Sequence, residues 1–229
     1  MRALAIDTST HRSEVALWAG GACVARERSL DPAKHAESLM GLIDRVFGSA
    51  GWQKTDLDLV VPCLGPGSFT GVRGGLATAK GIALALDRPI VGVGGLEAMA
   101  HAFFDLAPPI ARDVGAVVAL LDARKGEVYW AAYGREGQVL GGPGHLTADR
   151  LNEVMATLPA KRIVIGEVAS GNPSLPEGSV FRSPETDLPD VVVLARLGAR
   201  AFERRGSDDI GALEPIYVRP PDITLPRSK

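Results

Sequence analysis

Apolar residues along this chain follow two alternating rhythms, short continuous runs and longer stretches at helical spacing, and that alternation predicts an α/β protein. The stretch "ALAIDTS" reads as a buried strand that ends in polar residues. "SEVALWAGGACVARER" reads as two strands turning at Gly20-Gly21, a pair that favours a tight hairpin. From Ala33 to Ser49, Leu39, Leu42, Ile43, Val46 and Phe47 recur on one helical face, with Asp31 as cap and Pro32 in the first turn. "DLDLVVPCLG" predicts a strand, "PIVGVG" another, and "GLEAMAHAFF" a helix, after which Pro108-Pro109 breaks the pattern.

Beyond the break the opening motif returns. "AIDTSTHRSEVALWAGG" and "LLDARKGEVYWAAYGREG" both run strand, aspartate, polar turn, Glu-Val, strand and glycine turn, which pairs Asp7 with Asp122 and Glu14 with Glu127. Such a return predicts two related lobes. The second lobe continues through a helix from Thr147 to Leu158, the strand "RIVIGE" and a helix from Asp190 to Arg204. The fold class expected is therefore α/β, two actin-like (ribonuclease-H-like, ASKHA) lobes, each a mixed sheet with packed helices. The first lobe spans residues 1–105 and the second 106–229, with the C-terminal segment free to pack back on the first.

Composition narrows the function classes. With 229 residues, 46% of them hydrophobic, the chain is able to bury a substantial core. Lysine and arginine number 25 against 27 aspartates and glutamates, so no chain-wide basic field exists to hold nucleic acid by its phosphates. Cys23 and Cys63 lie in apolar runs without CxxC spacing, and predict buried thiols rather than a zinc or disulfide framework. "MRALAIDTST" reaches an aspartate too early for a signal peptide, and no apolar run is long enough for a membrane span. A soluble, cytoplasmic protein with no membrane contact is expected.

The most distinctive stretch is "CLGPGSFTGVRGGLATAKGIALA". It lacks the lysine of a phosphate-binding P-loop and the spacing of a dinucleotide fingerprint. What it does predict is a tight turn at Gly65, Pro66 and Gly67, an N-cap at Ser68 or Thr70, and a helix beginning near Phe69 and Gly71. Glycines at 71, 74, 75 and 81 each cost a helix about 1 kcal/mol against alanine, so close packing must offset them. Small or apolar residues occur on more than one side of this helix, which predicts burial on more than one side, either in a core or against a second subunit.

Four segments together resemble a known family: "IDTST" at 6–10, "GPGSFTGVR" at 65–73, "LDARKGEVYWAAY" at 121–133 and "EPIYVRPP" at 214–221. They are similar to the TsaB (YeaZ) family over nearly the whole chain. The resemblance implies an actin-like fold and a non-catalytic scaffold or activator role in making the threonylcarbamoyladenosine next to the anticodon of tRNAs that read codons starting with A. It also implies partners: a TsaD-like catalytic subunit, a TsaE-like ATPase, and tRNA held only through the complex. A homodimer, and a nucleotide at the subunit boundary, stay open; no cofactor of the chain's own is expected.

Laid in register on the catalytic TsaD-like proteins, the His-x-x-x-His metal motif of that group falls on Gly95 and Met99, so no metal site is expected here. In actin-like ATPases the first hairpin lies near phosphate, which makes Asp7, Thr8 and Ser9 candidates for a vestigial nucleotide site; the plainer reading is a polar turn at a strand end. The partner face is expected on the two N-terminal-lobe helices, at His35, Leu39, Leu42, Ile43, Val46, Arg73, Leu76, Ala77, Lys80 and Leu84. The competing function is a small actin-like ATPase or kinase acting alone, with Asp7 and Asp122 flanking a nucleotide.

Overall fold

The computed structural model describes residues 1–30, 35–169, 175 and 178–218; of residues 35–38 and 148 only the backbone is described. The first sheet holds β1 (Arg2–Asp7), β2 (Ser13–Ala19), β3 (Ala22–Ser29) and β4 (Leu59–Pro62) in the order β3-β2-β1-β4. β1 runs antiparallel to β2 and parallel to β4. The second sheet holds β5 (Ala116–Arg124), β6 (Glu127–Tyr133), β7 (Val139–Thr147) and β8 (Arg162–Ile165) in the order β7-β6-β5-β8, with the same directions. The two lobes therefore repeat one topology, and the duplicated actin-like architecture read from the sequence is present.

Why each strand takes its place follows from its residues. β1 is central and β4 is bordered on its outer side only by the bridges to residues 90 and 93; both are flanked on both faces and read as continuous apolar runs. β3 is an edge strand whose charged residues Arg26, Glu27 and Arg28 deter pairing with another chain. Cys23 sits on that edge and is exposed, which corrects the expectation of two buried thiols; Cys63 is buried.

Three other expectations shift. "PIVGVG" makes parallel bridges, Val60 to Ile90 and Cys63 to Val93, rather than a regular strand. Its amides on the far side are taken by side chains, Ile90 N–H by Ser207 Oγ at 3.1 Å and Gly92 N–H by Asp208 Oδ2 at 2.9 Å, so no further strand adds to the ladder. Residue 147 closes β7 against Glu127 instead of opening a helix, and α4 spans only Leu151–Thr157. β7 itself escapes the pattern because Gly141, Gly142, Pro143 and Gly144 imitate a turn; the glycines at 141 and 144 lie beneath Trp130, where a Cβ would come within 3.1 and 2.9 Å of the indole.

Helices complete the layers. α1 (His35–Ala50) and α2 (Phe69–Leu86) cover one face of the first sheet, burying Leu4, Ile6, Val15 and Leu17. The cap expected at Asp31-Pro32 lies outside the described residues. α3 (Gly95–Leu106) lies on the second sheet through Leu96, Met99 and Phe103, which meet Val117, Ala119 and Leu121, while α4 covers that sheet's other face. After the short α5 (Pro184–Asp187), α6 (Val191–Arg205) leaves the second sheet and covers the remaining face of the first, over Ala3, Ala5, Ala16 and Val61. Asp190 caps it, accepting from the amides of Val192 and Val193 at 2.8 and 3.2 Å. Gly198 permits the close approach, since a Cβ there would stand 2.5 Å from Val61.

A charged network locks α6 to the sheet. Glu14, fully buried, accepts two hydrogen bonds from Arg26 at 3.1 and 2.9 Å and lies 3.2 Å from Arg12. Arg26 also pairs with Asp190 at 3.0 Å, and Arg12 donates to the Pro189 carbonyl at 2.8 Å. Among the described residues no helix is long and apolar enough to cross a membrane.

Candidate functional site

The glycine-rich stretch supplies a turn and a helix end that fit one particular neighbour. Gly65 has φ +85°, open to glycine, and Ser68 is the N-cap, its Oγ accepting from Gly71 N–H at 3.2 Å. The first hairpin turn then lies directly on the helix. Thr8 Oγ1 donates to the Gly71 carbonyl at 2.6 Å, and Ser68 N–H donates to the Ser9 carbonyl at 2.7 Å. A Cβ at Gly67 would sit 2.0 Å from the Ser9 carbonyl oxygen, one at Gly71 2.1 Å from that of Thr8, and one at Gly75 2.2 Å from Thr8 Oγ1. These three glycines exist so that two backbones can touch.

That contact decides what Asp7, Thr8 and Ser9 do. All three are buried, and several of their polar groups are used inside the chain: Asp7 Oδ1 accepts from Ser9 N–H at 2.9 Å, and the carbonyls of Thr8 and Ser9 face Gly71 and Gly67. These bonds are those of the plainer reading, a polar turn at a strand end, while Thr8 and Ser9 also line an open cleft between the lobes. Asp122 makes the same local bond in the second lobe, accepting from Arg124 N–H at 2.7 Å.

Burial lifts the Asp7 carboxyl above its ordinary range, opposed by its bonds to Ser9 and Cys63, and among the described residues Oδ2 has no hydrogen-bond partner. The neighbouring Cys63 thiol is pushed up well above its usual value, first by burial and then by the Asp7 charge, so it stays protonated. Because the folded form holds the Asp7 proton more tightly than the unfolded form, stability falls as pH rises through the window above the usual carboxylate value, and the cost is complete beyond the raised one. Asp7→Asn keeps an acceptor for Ser9 N–H and removes the charge. It is expected to raise stability at pH 7 by about 1 kcal/mol, roughly 2–4 °C in Tm, with the gain vanishing in acid. Thermal melts across pH check this; a variant less stable than the parent at neutral pH contradicts it.

Between the lobes lies a cleft of about 1100 Å³. It is lined by the first hairpin turn at Thr8 to His11, the second at Asp122 to Lys125, the glycine-rich turn from Pro66 to Gly71, and Tyr217. The C-terminal strap, residues 206–218, runs across both lobes. Ile216 N–H donates to the Leu64 carbonyl at 2.8 Å, and Val218 O lies 2.6 Å from His145 Nδ1 on β7. Tyr217, which the sequence offers no means of placing, accepts from Arg73 Nε at 2.7 Å. The Arg73 guanidinium lies 3.7 Å over the Phe69 ring and 5.4 Å from the Tyr217 ring, a cation–aromatic cluster at the start of α2.

The expected partner face divides. Leu39, Leu42, Ile43 and Val46 are at most 2% exposed, and Leu76 is also buried, because they form the core between α1, α2 and the first sheet. That part of the face is corrected: side chains already enclosed by their own lobe are not surface. The side chain of His35 lies outside the described residues. Arg73, Ala77 and Leu84 are exposed on the outer side of α2, and Lys80 is half-buried there. Of the residues in register with the His-x-x-x-His motif, Met99 is fully buried and Gly95 is enclosed by Pro189 and Cys63.

Two sheets of one topology, with a cleft between two aspartate-bearing hairpins, define an actin-like protein. Residues 30–190 match the sequence model of the family described as "TsaD: tRNA N6-adenosine threonylcarbamoyltransferase". The Escherichia coli K12 tRNA threonylcarbamoyladenosine biosynthesis protein TsaB is 34% identical over 96% of this chain and 95% of its own. Two solved structures from Pseudomonas aeruginosa are similar throughout: an uncharacterized protein with similarity to peptidase YeaZ, at TM-score 0.79 and 27% identity over 95% of this chain and 99% of that one, and YeaZ, at TM-score 0.76 and 26% identity over 94% and 100%. The chain belongs to the TsaB (YeaZ) family.

Proposed function

We propose that this chain is a non-catalytic scaffold or activator subunit in the formation of tRNA threonylcarbamoyladenosine, and that it docks on a TsaD-like catalytic subunit through the outer face of α2. A TsaE-like ATPase completes the assembly, and tRNA is held only through the complex. The family supports the pathway. One observation carries the docking face: a Cβ added at Gly74 or Gly81 meets nothing within 4 Å among the described residues. Each glycine costs the helix about 1 kcal/mol and gives the isolated chain nothing in return, whereas a second backbone approaching that face would use both. Phe69 and Leu84, 46% and 67% exposed, stand at the two ends of the face as apolar anchors.

The non-catalytic part of the reading rests on Gly95, which has no side chain, and Met99, a fully buried thioether in place of an imidazole, where the catalytic group carries its histidines. The test is Ala77→Trp, a neutral block at the centre of the face. It is expected to leave the circular dichroism and melting of the chain unchanged, to weaken association with the organism's own TsaD-like protein by about 2 kcal/mol or more, and to lower threonylcarbamoyladenosine in cellular tRNA. A folded variant that associates and supports modification normally puts the docking face elsewhere.

A further inference from the structure

The cleft is bridged at both of its ends, and each bridge uses an imidazole. The second sheet runs β7-β6-β5-β8, and the hairpin turn that carries Asp122, Arg124 and Lys125 into the cleft joins its two inner strands. At the β7 edge, Nδ1 of His145 lies 2.6 Å from the carbonyl of Val218, which the strap brings across from the first lobe. At the β8 edge, Glu167, two residues past the strand, lies 3.8 Å from Nδ1 of His11 on the first hairpin turn. The strap is fixed to the first lobe before it crosses. Asp208 N–H donates to the Ile90 carbonyl at 2.9 Å, and Ile216 N–H to that of Leu64 at 2.8 Å.

Two passages of the chain between the lobes lie outside the cleft lining and close together. α3 begins between Val93, in the core of the first lobe, and Leu96, in that of the second, and the chain returns between Leu188 and Val191. A Cβ at Gly95 would come within 3.0 Å of the Pro189 ring, so these passages touch. Adjacent passages are the layout of a hinge, and hinged clefts close around ligands. We infer that here the motion is blocked: the bond from His145 to the strap and the pair of His11 with Glu167 clasp the cleft at its two ends and hold the two hairpin turns at one separation. His145 is the stronger catch. A ring nitrogen facing a carbonyl must carry a proton, and Nδ1 does so both in that neutral tautomer and in the imidazolium, so the bond outlasts a change of ring charge. The side chains of His11 and Glu167 are 44% and 33% exposed and attract fully only with the ring protonated, so this tie contributes less.

Pulsed electron resonance between spin labels on Cys23, exposed on β3, and on Glu153→Cys in α4 measures the separation of the lobes. The parent chain is expected to give one narrow distance distribution. His145→Phe fills the place of the ring without a donor, and His145→Ala removes both, so a folding defect in one leaves the other to decide. Each is expected to shift or broaden the distribution by more than about 2 Å. Each should also speed exchange of the Ile216 amide by about ten-fold, the effect of losing one hydrogen bond, while the Asp208 amide exchanges as in the parent. His145→Asn, which keeps a donor near the Nδ1 position, should behave as the parent does, and His11→Ala added to His145→Phe should widen the distribution further. An unchanged distribution in that double variant overturns the clasp and leaves the angle between the lobes to α3 and α6, which meet where Arg196 pairs with Asp105. Release by His145→Ala but not by His145→Phe, or release by His145→Asn, overturns the assignment of the Nδ1 donor as the catch.

Discussion

Alanine at Gly71 is expected to destabilise the chain by about 3 kcal/mol or more, while alanine at Gly74, three residues along the same helix, is expected to stabilise it by about 1 kcal/mol. The change is one methyl group in each case. At Gly71 that methyl would lie 2.1 Å from the Thr8 carbonyl oxygen, a backbone atom of a buried turn that has no rotamer with which to move aside. Either α2 lifts from the hairpin, breaking the bond from Thr8 Oγ1 to the Gly71 carbonyl, or the turn distorts. At Gly74 the methyl projects into open space and only reduces the freedom of the unfolded chain. Urea denaturation of the two variants measures the difference. Shifts of the same sign would mean that the helix does not have one closed face and one open one.

Glu14→Ala is expected to cost about 3–5 kcal/mol. The glutamate is fully buried, and among the described residues its removal leaves Arg26 with only Asp190 as ion-pair partner and Arg12 with none. The damage falls on α6 as much as on β2, since Arg26 and Arg12 hold Asp190 and the Pro189 carbonyl at the helix entrance. Asp190→Ala, which removes the cap and one ion pair but leaves Glu14 with both arginines, is expected to cost about 1–2 kcal/mol. Chemical denaturation of the pair tests the ranking; a Glu14→Ala variant within 1 kcal/mol of its parent would show that water reaches the network.

Much of the architecture was legible because local chemistry and global placement agree. Gly20-Gly21 turns the first hairpin with φ of +59° and +89°, Ser68 caps α2, and the recurrence of strand, aspartate and hairpin does mark a second sheet of the same topology. Faces were harder to read. The stripe Leu39, Leu42, Ile43 and Val46 shows that α1 has a covered side but not what covers it, and the answer is the chain's own sheet. The glycines of α2 look alike in sequence, yet Gly71 and Gly75 answer to Thr8, more than sixty residues earlier, while Gly74 and Gly81 answer to nothing among the described residues. Tyr217 reaches Arg73 across a separation of 144 residues, which no periodicity reports. The edge strand β7 stayed hidden because Trp130, on its neighbour, makes glycine the fitting residue where a strand normally avoids it.

The crossing of α6 back to the first sheet has a consequence for how the protein is made. Translation delivers β1, β2 and β4 early, but the helix that covers Ala3, Ala5, Ala16 and Val61 is encoded at 191–205, and the strap that fastens Ile90 and Gly92 follows it. A nascent chain therefore carries one finished face and one bare apolar face on its first sheet throughout synthesis of the second lobe. Domains generally fold as units in the order in which they leave the ribosome, and this one is unable to close until α6 and the strap behind it are free. During that interval the second lobe and its cleft-side hairpin are assembled beside an unfinished neighbour, and the bare sheet face is the surface a holdase chaperone would meet.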